Sequence, residues 1–173
     1  MKTFTLFLFL MLSQFILFSQ DKSISLGAAF EYNHTTELAG INLRGYYNIG
    51  HNFCFGPEFT FFENKQIILD DEIEDISIWE LNINAHYIIE IKERVGIYPI
   101  VGFNFTRETE EISYLSSSDT KTERESFYGF NLGGGIHVPI KKFTPFYEYH
   151  YTFGELGEGI STAGIFYTFG REE

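Results

Sequence analysis

Residues able to do chemistry recur at every second position of this chain. Glu80, Asn82, Asn84 and His86 alternate with Trp79, Leu81, Ile83, Ala85 and Tyr87, and the same rhythm sets apart Glu31, Arg44, Glu58, Asn104, Asn131, His137, Glu148 and His150. Nucleophilic catalysis needs a nucleophile, a His base and an orienting carboxylate in mutual contact. Glu148, His150 and Thr152 supply those types, but neighbours on one face of a strand stand about 6.6 Å apart. A working pair would have to come from adjacent strands, with Ser161 or Thr162 as nucleophile, so no enzyme is expected; a lipid A esterase or acyltransferase is the catalytic alternative. His86, His137 and His150 fall in segments that are not neighbours, which argues for satisfied histidines rather than a metal site. No cofactor is expected. Arg44 is the natural partner of Glu31 or Glu58, because buried carboxylates must pair or become neutral. The acidic run Glu63 to Asp75 sets six acids against Lys65 and lacks the Gly and spacing of an EF-hand loop. It reads as a solvated loop, with weak divalent-cation binding as the alternative.

A period of two demands β-strands with two unlike faces. Eight strands are predicted, at about 23–32, 39–48, 53–62, 76–89, 95–106, 126–138, 144–153 and 160–170. Their polar faces carry the twelve residues named first, together with Arg44's neighbours Tyr46 and Asn48. The opposite faces carry Phe53, Phe55, Phe59, Phe61, Trp79, Tyr87, Tyr147, Tyr149, Tyr151, Tyr167 and Phe169. Strands of 10–14 residues fit a tilted bilayer crossing, which takes about 9–11, better than soluble strands of about 5–6. Pro57 and Pro99 suggest local bulges or shorter strands. Connections alternate. Those at 48–52, 89–94 and 139–144 are short, whereas 63–75 and 107–125 are long and acidic, as outer loops of membrane barrels are. Glu108 to Tyr114 and Glu123 to Ser126 extend the fifth and sixth strands into a protruding hairpin, whose edge suits strand addition by a partner protein.

Residues 1–19 read as a signal peptide: Lys2 precedes an apolar run from Phe4 to Phe18, too short for a spanning helix, with cleavage after 19 or 20. Residues 20–173 then form one domain. Aromatics make up 18% of the chain, more than a soluble core needs, and the single Cys54 excludes an intramolecular disulfide framework. A net charge of −12 excludes a basic nucleic-acid face.

These segments resemble a family. The Leu17-Phe18-Ser19-Gln20 end of the signal, the Leu132-Gly133-Gly134-Gly135-Ile136 strand and the closing Ala163-Gly164-Ile165-Phe166-Tyr167-Thr168-Phe169 are similar to the small eight-stranded outer-membrane barrels, OmpA-, OmpX- and OmpW-like. They resemble in particular the outer-membrane β-barrel-domain or porin-family proteins of Bacteroidota. The resemblance implies an all-β, antiparallel up-and-down transmembrane barrel in the outer membrane of a Gram-negative cell, with both termini periplasmic. Implied partners are outer-membrane lipid, lipopolysaccharide and the barrel-insertion machinery; the loops at 63–75 and 107–125 add, from their own residues, an expected site for an extracellular protein partner. The expected role is structural, adhesive or surface-interacting, with the polar interior plugged. A narrow pore opened by exchange of Arg44 between carboxylates is the second reading. A soluble periplasmic barrel of lipocalin type, with the apolar face inward, is a reading of another class.

Overall fold

The computed structural model describes residues 22–50, 52–69, 72–92, 95–114 and 120–169. The expected signal segment and its cleavage site lie outside the described residues. Ten strands follow one another: β1 (Lys22–Asn33), β2 (Leu38–Ile49), β3 (Phe53–Phe62), β4 (Lys65–Ile68), β5 (Glu72–Tyr87), β6 (Ile89–Lys92), β7 (Val95–Tyr114), β8 (Thr120–His137), β9 (Phe143–Gly154) and β10 (Glu158–Phe169). Eight of them form a ring in the order β1-β2-β3-β5-β7-β8-β9-β10. It is closed by β1 against β10, and every pairing is antiparallel. Closure leaves no open edge around the wall. The two short strands are additions: β4 lies on the upper part of β5, and β6 on the start of β7.

Alternation decides which side of the wall each residue takes. In β3 the burial runs exposed-buried from Phe53 to Phe62, with Cys54, Gly56, Glu58 and Thr60 inward. Around the ring the outward side carries the large apolar residues, among them Phe30, Ile41, Phe55, Phe61, Phe103 and Tyr147, all at least 42% exposed. The buried side is dominated by Glu, Asn, Thr, His and Arg44. A lipocalin-type barrel would carry the reverse arrangement.

The expected strand spans hold, and so does the protruding hairpin of the fifth and sixth predicted strands, at the end opposite the termini (the distal end); the differences are the stretch 63–75, the earlier start of β5 and the short strand β6 inside the expected 89–94 turn. The acidic stretch read as a loop over 63–75 is mostly a hairpin, with Lys65 paired to Ile76 and Ile68 to Ile73. Its Asp70 and Asp71 lie outside the described residues. β5, β7 and β8 run 16, 20 and 18 residues against 10–12 for the other ring strands. Their surplus is paired: Glu72 to Ser77 with Thr109 to Tyr114, and Arg107 to Ser113 with Thr120 to Ser126. Thr, Ile and charged residues in alternation keep strand geometry going past the barrel rim. Both prolines stay within the wall, although the pairing of β2 with β3 lapses opposite Pro57, between Arg44–Glu58 and Tyr47–Phe55. Pro57 keeps register with Ile83, and Pro99 with Gly134. Beside Pro57, Gly56 lets β3 lie close to β2, where a Cβ would stand 1.8 Å from the Gly45 carbonyl oxygen.

Candidate functional site

Inside the ring the side chains form two polar groups separated by height. The first is built on Arg44. Its Nη2 lies 3.0 Å from Glu58 Oε2 on the neighbouring β3, and its Nη1 donates to Glu148 Oε2 at 2.5 Å, reaching across the lumen to β9. Arg44 Nε donates to Asn42 Oδ1 at 2.7 Å, and the guanidinium lies over Phe146, 4.7 Å from the ring centre. Glu58 also accepts from the Tyr46 hydroxyl and from Asn84 at 2.8 Å; Glu148 accepts from the Tyr98 hydroxyl at 2.8 Å. Two carboxylates thus face one cation with their remaining acceptors filled, the condition under which a buried ion pair is tolerated. The expected alternative, Arg44 with Glu31, is not made: Glu31 Oε2 accepts from Thr60 at 2.9 Å instead.

Aromatic rings close this group toward the terminal end. Tyr46, Phe146, Phe166, Cys54 and Ala29 pack as one apolar cluster. Tyr98 stacks on His86 at 4.8 Å and meets His137 at 5.3 Å. His86 Nε2 lies 3.0 Å from the Tyr46 hydroxyl. Tyr98 lies between His86 and His137; contrary to expectation, the strands of His137 and His150 are neighbours, β8 pairing with β9, although the two histidines are not in register. Tyr98 was not singled out by sequence reasoning. Only its place at an alternate position of the fifth predicted strand points to it.

The second group lies in the distal half. Asn82 Oδ1 accepts from Asn104 at 2.9 Å and from Asn131 at 2.8 Å, and Thr152 donates to Asn131 at 2.8 Å. Glu80 accepts from Asn104 at 3.2 Å. Glu31, Glu80 and Glu158 share this half, each 0–1% exposed.

The catalytic alternative does not assemble. Glu148 is taken by Arg44 and Tyr98, and Thr152 by Asn131. Ser161 is partly buried on the outward side, 2.8 Å from His34 Nε2 and 3.2 Å from the Tyr147 hydroxyl. The rings around His34 are Tyr32 and Tyr149.

The long distal extension forms the other candidate surface. Beyond the rim, β4, β5, β7 and β8 make a four-stranded sheet. β8 pairs with β9 only from Gly129 onward, so among the described residues 120–128 have no partner on that side. Ile68 and Tyr128, 71% and 69% exposed, lie on the two outer strands. Residues 63–75 and 107–125 carry twelve acids against Lys65, Arg107, Lys121 and Arg124, eight of the chain's twelve net negative charges.

No protein-family model and no curated protein matches the chain. Solved barrels do. A major outer membrane protein from Thermus thermophilus aligns with a TM-score of 0.69 at 11% identity, covering 87% of this chain and 100% of that one. Ail, the attachment invasion locus protein of Yersinia pestis, solved with the heparin analogue sucrose octasulfate, aligns with a TM-score of 0.59 at 19% identity. That alignment covers 86% of this chain and 97% of that one. The N-terminal β-barrel domain of Pseudomonas aeruginosa OprF gives 0.55 at 14% identity, covering 86% and 100%. At these identities the likeness is one of fold, that of the small, closed, eight-stranded outer-membrane barrels.

Proposed function

We propose that this chain is an exported outer-membrane barrel with a closed polar interior, whose distal sheet meets partners outside the cell. Carrying the reading is the inversion of the wall: buried Arg44, Glu58 and Glu148 inside, a continuous belt of Phe, Tyr, Ile and Leu outside. Water could not be the solvent of that belt without large apolar exposure, whereas lipid could. Tyr147, Tyr149, Tyr151, Trp79 and Tyr87 then serve as interfacial aromatics. Periplasmic termini place 63–75 and 107–125 outside, next to lipopolysaccharide.

The open side of β8 supports strand addition as the mode of contact, since unpaired backbone groups supply main-chain hydrogen bonds. The acidic sheet favours a cationic partner and disfavours a polyanion such as the heparin analogue held by Ail. Cells displaying the protein should retain cationic protein surfaces. A variant with residues 108–124 replaced by a short turn should lose that retention while still folding as a barrel. Equal retention by both overturns the adhesive reading. In planar bilayers the purified protein should give no large, stable openings; such openings would replace the closed interior with a pore.

A further inference from the structure

The distal polar group has a charge problem that the Arg44 group does not. Glu31, Glu80 and Glu158 are all buried, and Glu31 Oε1, Glu80 Oε1 and Glu158 Oε2 have no hydrogen-bond donor. The hydroxyl of Thr162, fully buried and paired in register with Glu31, also has no partner. Glu80 stands on β5 and Glu158 on β10, four strands apart in either direction around the ring, so the two face each other across the bore. Both side chains enter the same buried polar group, and each leaves one oxygen, Glu80 Oε1 and Glu158 Oε2, without a donor. Ionised carboxylates only accept hydrogen bonds, so two of them cannot bond each other unless one keeps its proton. A like-charged pair in a dry interior is otherwise strongly repelled.

We propose that Glu80 and Glu158 share one proton across the lumen and form a proton-dependent strut that closes the distal mouth of the bore. Among the described residues no lysine or arginine stands on the inward face at that height, and the one histidine nearby, His150, has Glu58, Glu148 and Arg44 as its charged neighbours. β1 brings Glu31. β2 brings Arg44, engaged lower down with Glu58 of β3 and Glu148 of β9. β7 brings Glu108 from above, β8 brings Asn131, and β9 brings His150 and Thr152. No three His, Cys, Asp or Glu side chains among the described residues are arranged to hold a metal ion. Loss of the proton leaves three carboxylates facing one another, and the mouth then opens to water. This deepens the closed-interior reading, and the two fail separately: open-channel conductance removes that reading, whereas an ionised Glu80–Glu158 pair removes this one.

Infrared spectroscopy of the folded, lipid-reconstituted full chain tests it. At neutral pH the spectrum should hold a carboxylic-acid carbonyl band that disappears in Glu80→Gln and in Glu158→Gln and persists in Glu63→Gln. The unsubstituted barrel should lose hydrogen-exchange protection in β5 and β10 as the pH rises, and Glu80→Gln, whose amide donates to Glu158 without a titrating proton, should flatten that dependence. Absence of the band in the unsubstituted protein overturns the proposal without requiring any variant to fold, and so does its survival in both strut variants where these fold as barrels. A band abolished at neutral pH by Ca²⁺, with protection gained, also overturns it and makes the mouth a cation site.

Discussion

Arg44 carries the most consequence of any single residue in this chain. It answers two buried carboxylates on opposite sides of the lumen, so removing it strands both. Arg44→Met should cost about 3–5 kcal/mol, the loss seen when one member of a buried pair is deleted. Urea unfolding followed by the fluorescence of Trp79, the single tryptophan, measures this. Arg44→Lys keeps a charge but cannot span Glu58 and Glu148 with one planar fork, so it should recover only part of the loss. At Gly56 the constraint is steric. The β3 and β2 backbones approach so closely that Gly56→Ala must push the strands apart, at a cost of about 1–3 kcal/mol or more. Sequence reasoning put Arg44 and Glu58 on one face. It had no means of finding Glu148 as the second partner, because that residue is 104 positions away and meets Arg44 only through closure.

The distal sheet shows how an element acquires properties that its residues lack singly. β7 and β8 bring Glu108 opposite Glu125 and Glu110 opposite Glu123, like charges in direct register. Burial first, then the facing Glu125 and nearby Glu110, raise the Glu108 carboxyl above its ordinary 4.5. The paired sheet therefore holds this proton more tightly than an unpaired chain does. Its contribution to the sheet is full below pH 4.5 and falls away as the pH rises through the raised value. Hydrogen-exchange protection of 107–114 and 120–126 should accordingly decrease from acid to neutral pH, and Glu108→Gln should remove the decrease; an unchanged profile in that variant sinks the assignment. The exposed pair Lys121–Glu123 adds little, being open to solvent and salt. The acidic stretch at 63–75 resembles a loop by composition. It becomes β4 and the start of β5 because the extended β7 offers β5 a neighbour, and β5 in turn offers one to β4.

At the scale of the whole molecule, the closed ring with its polar lumen is expected to behave as a cooperative unit. The folded protein should migrate differently on a denaturing gel before and after boiling, and should stay with membranes through carbonate washing. Release by carbonate would contradict insertion. Labelling of intact cells carrying Thr122→Cys, at an exposed position of distal β8 and with Cys54 buried and silent, should report the distal side outside; labelling only after lysis would invert the topology.

The sequence alone determined what is repeated and local: eight segments of alternating polarity, their approximate ends, and which residues share a face. Each of these depends only on neighbours two positions away. Tertiary structure decided what depends on closure. Wrapping the strands into a ring turned one polar face into an interior, brought Glu148 to Arg44, set Glu80 against Glu158 from opposite walls, and left the β9 side of β8 unpaired above the rim. Strand period specifies direction away from the sheet. The ring's shear and diameter specify what each side chain meets there.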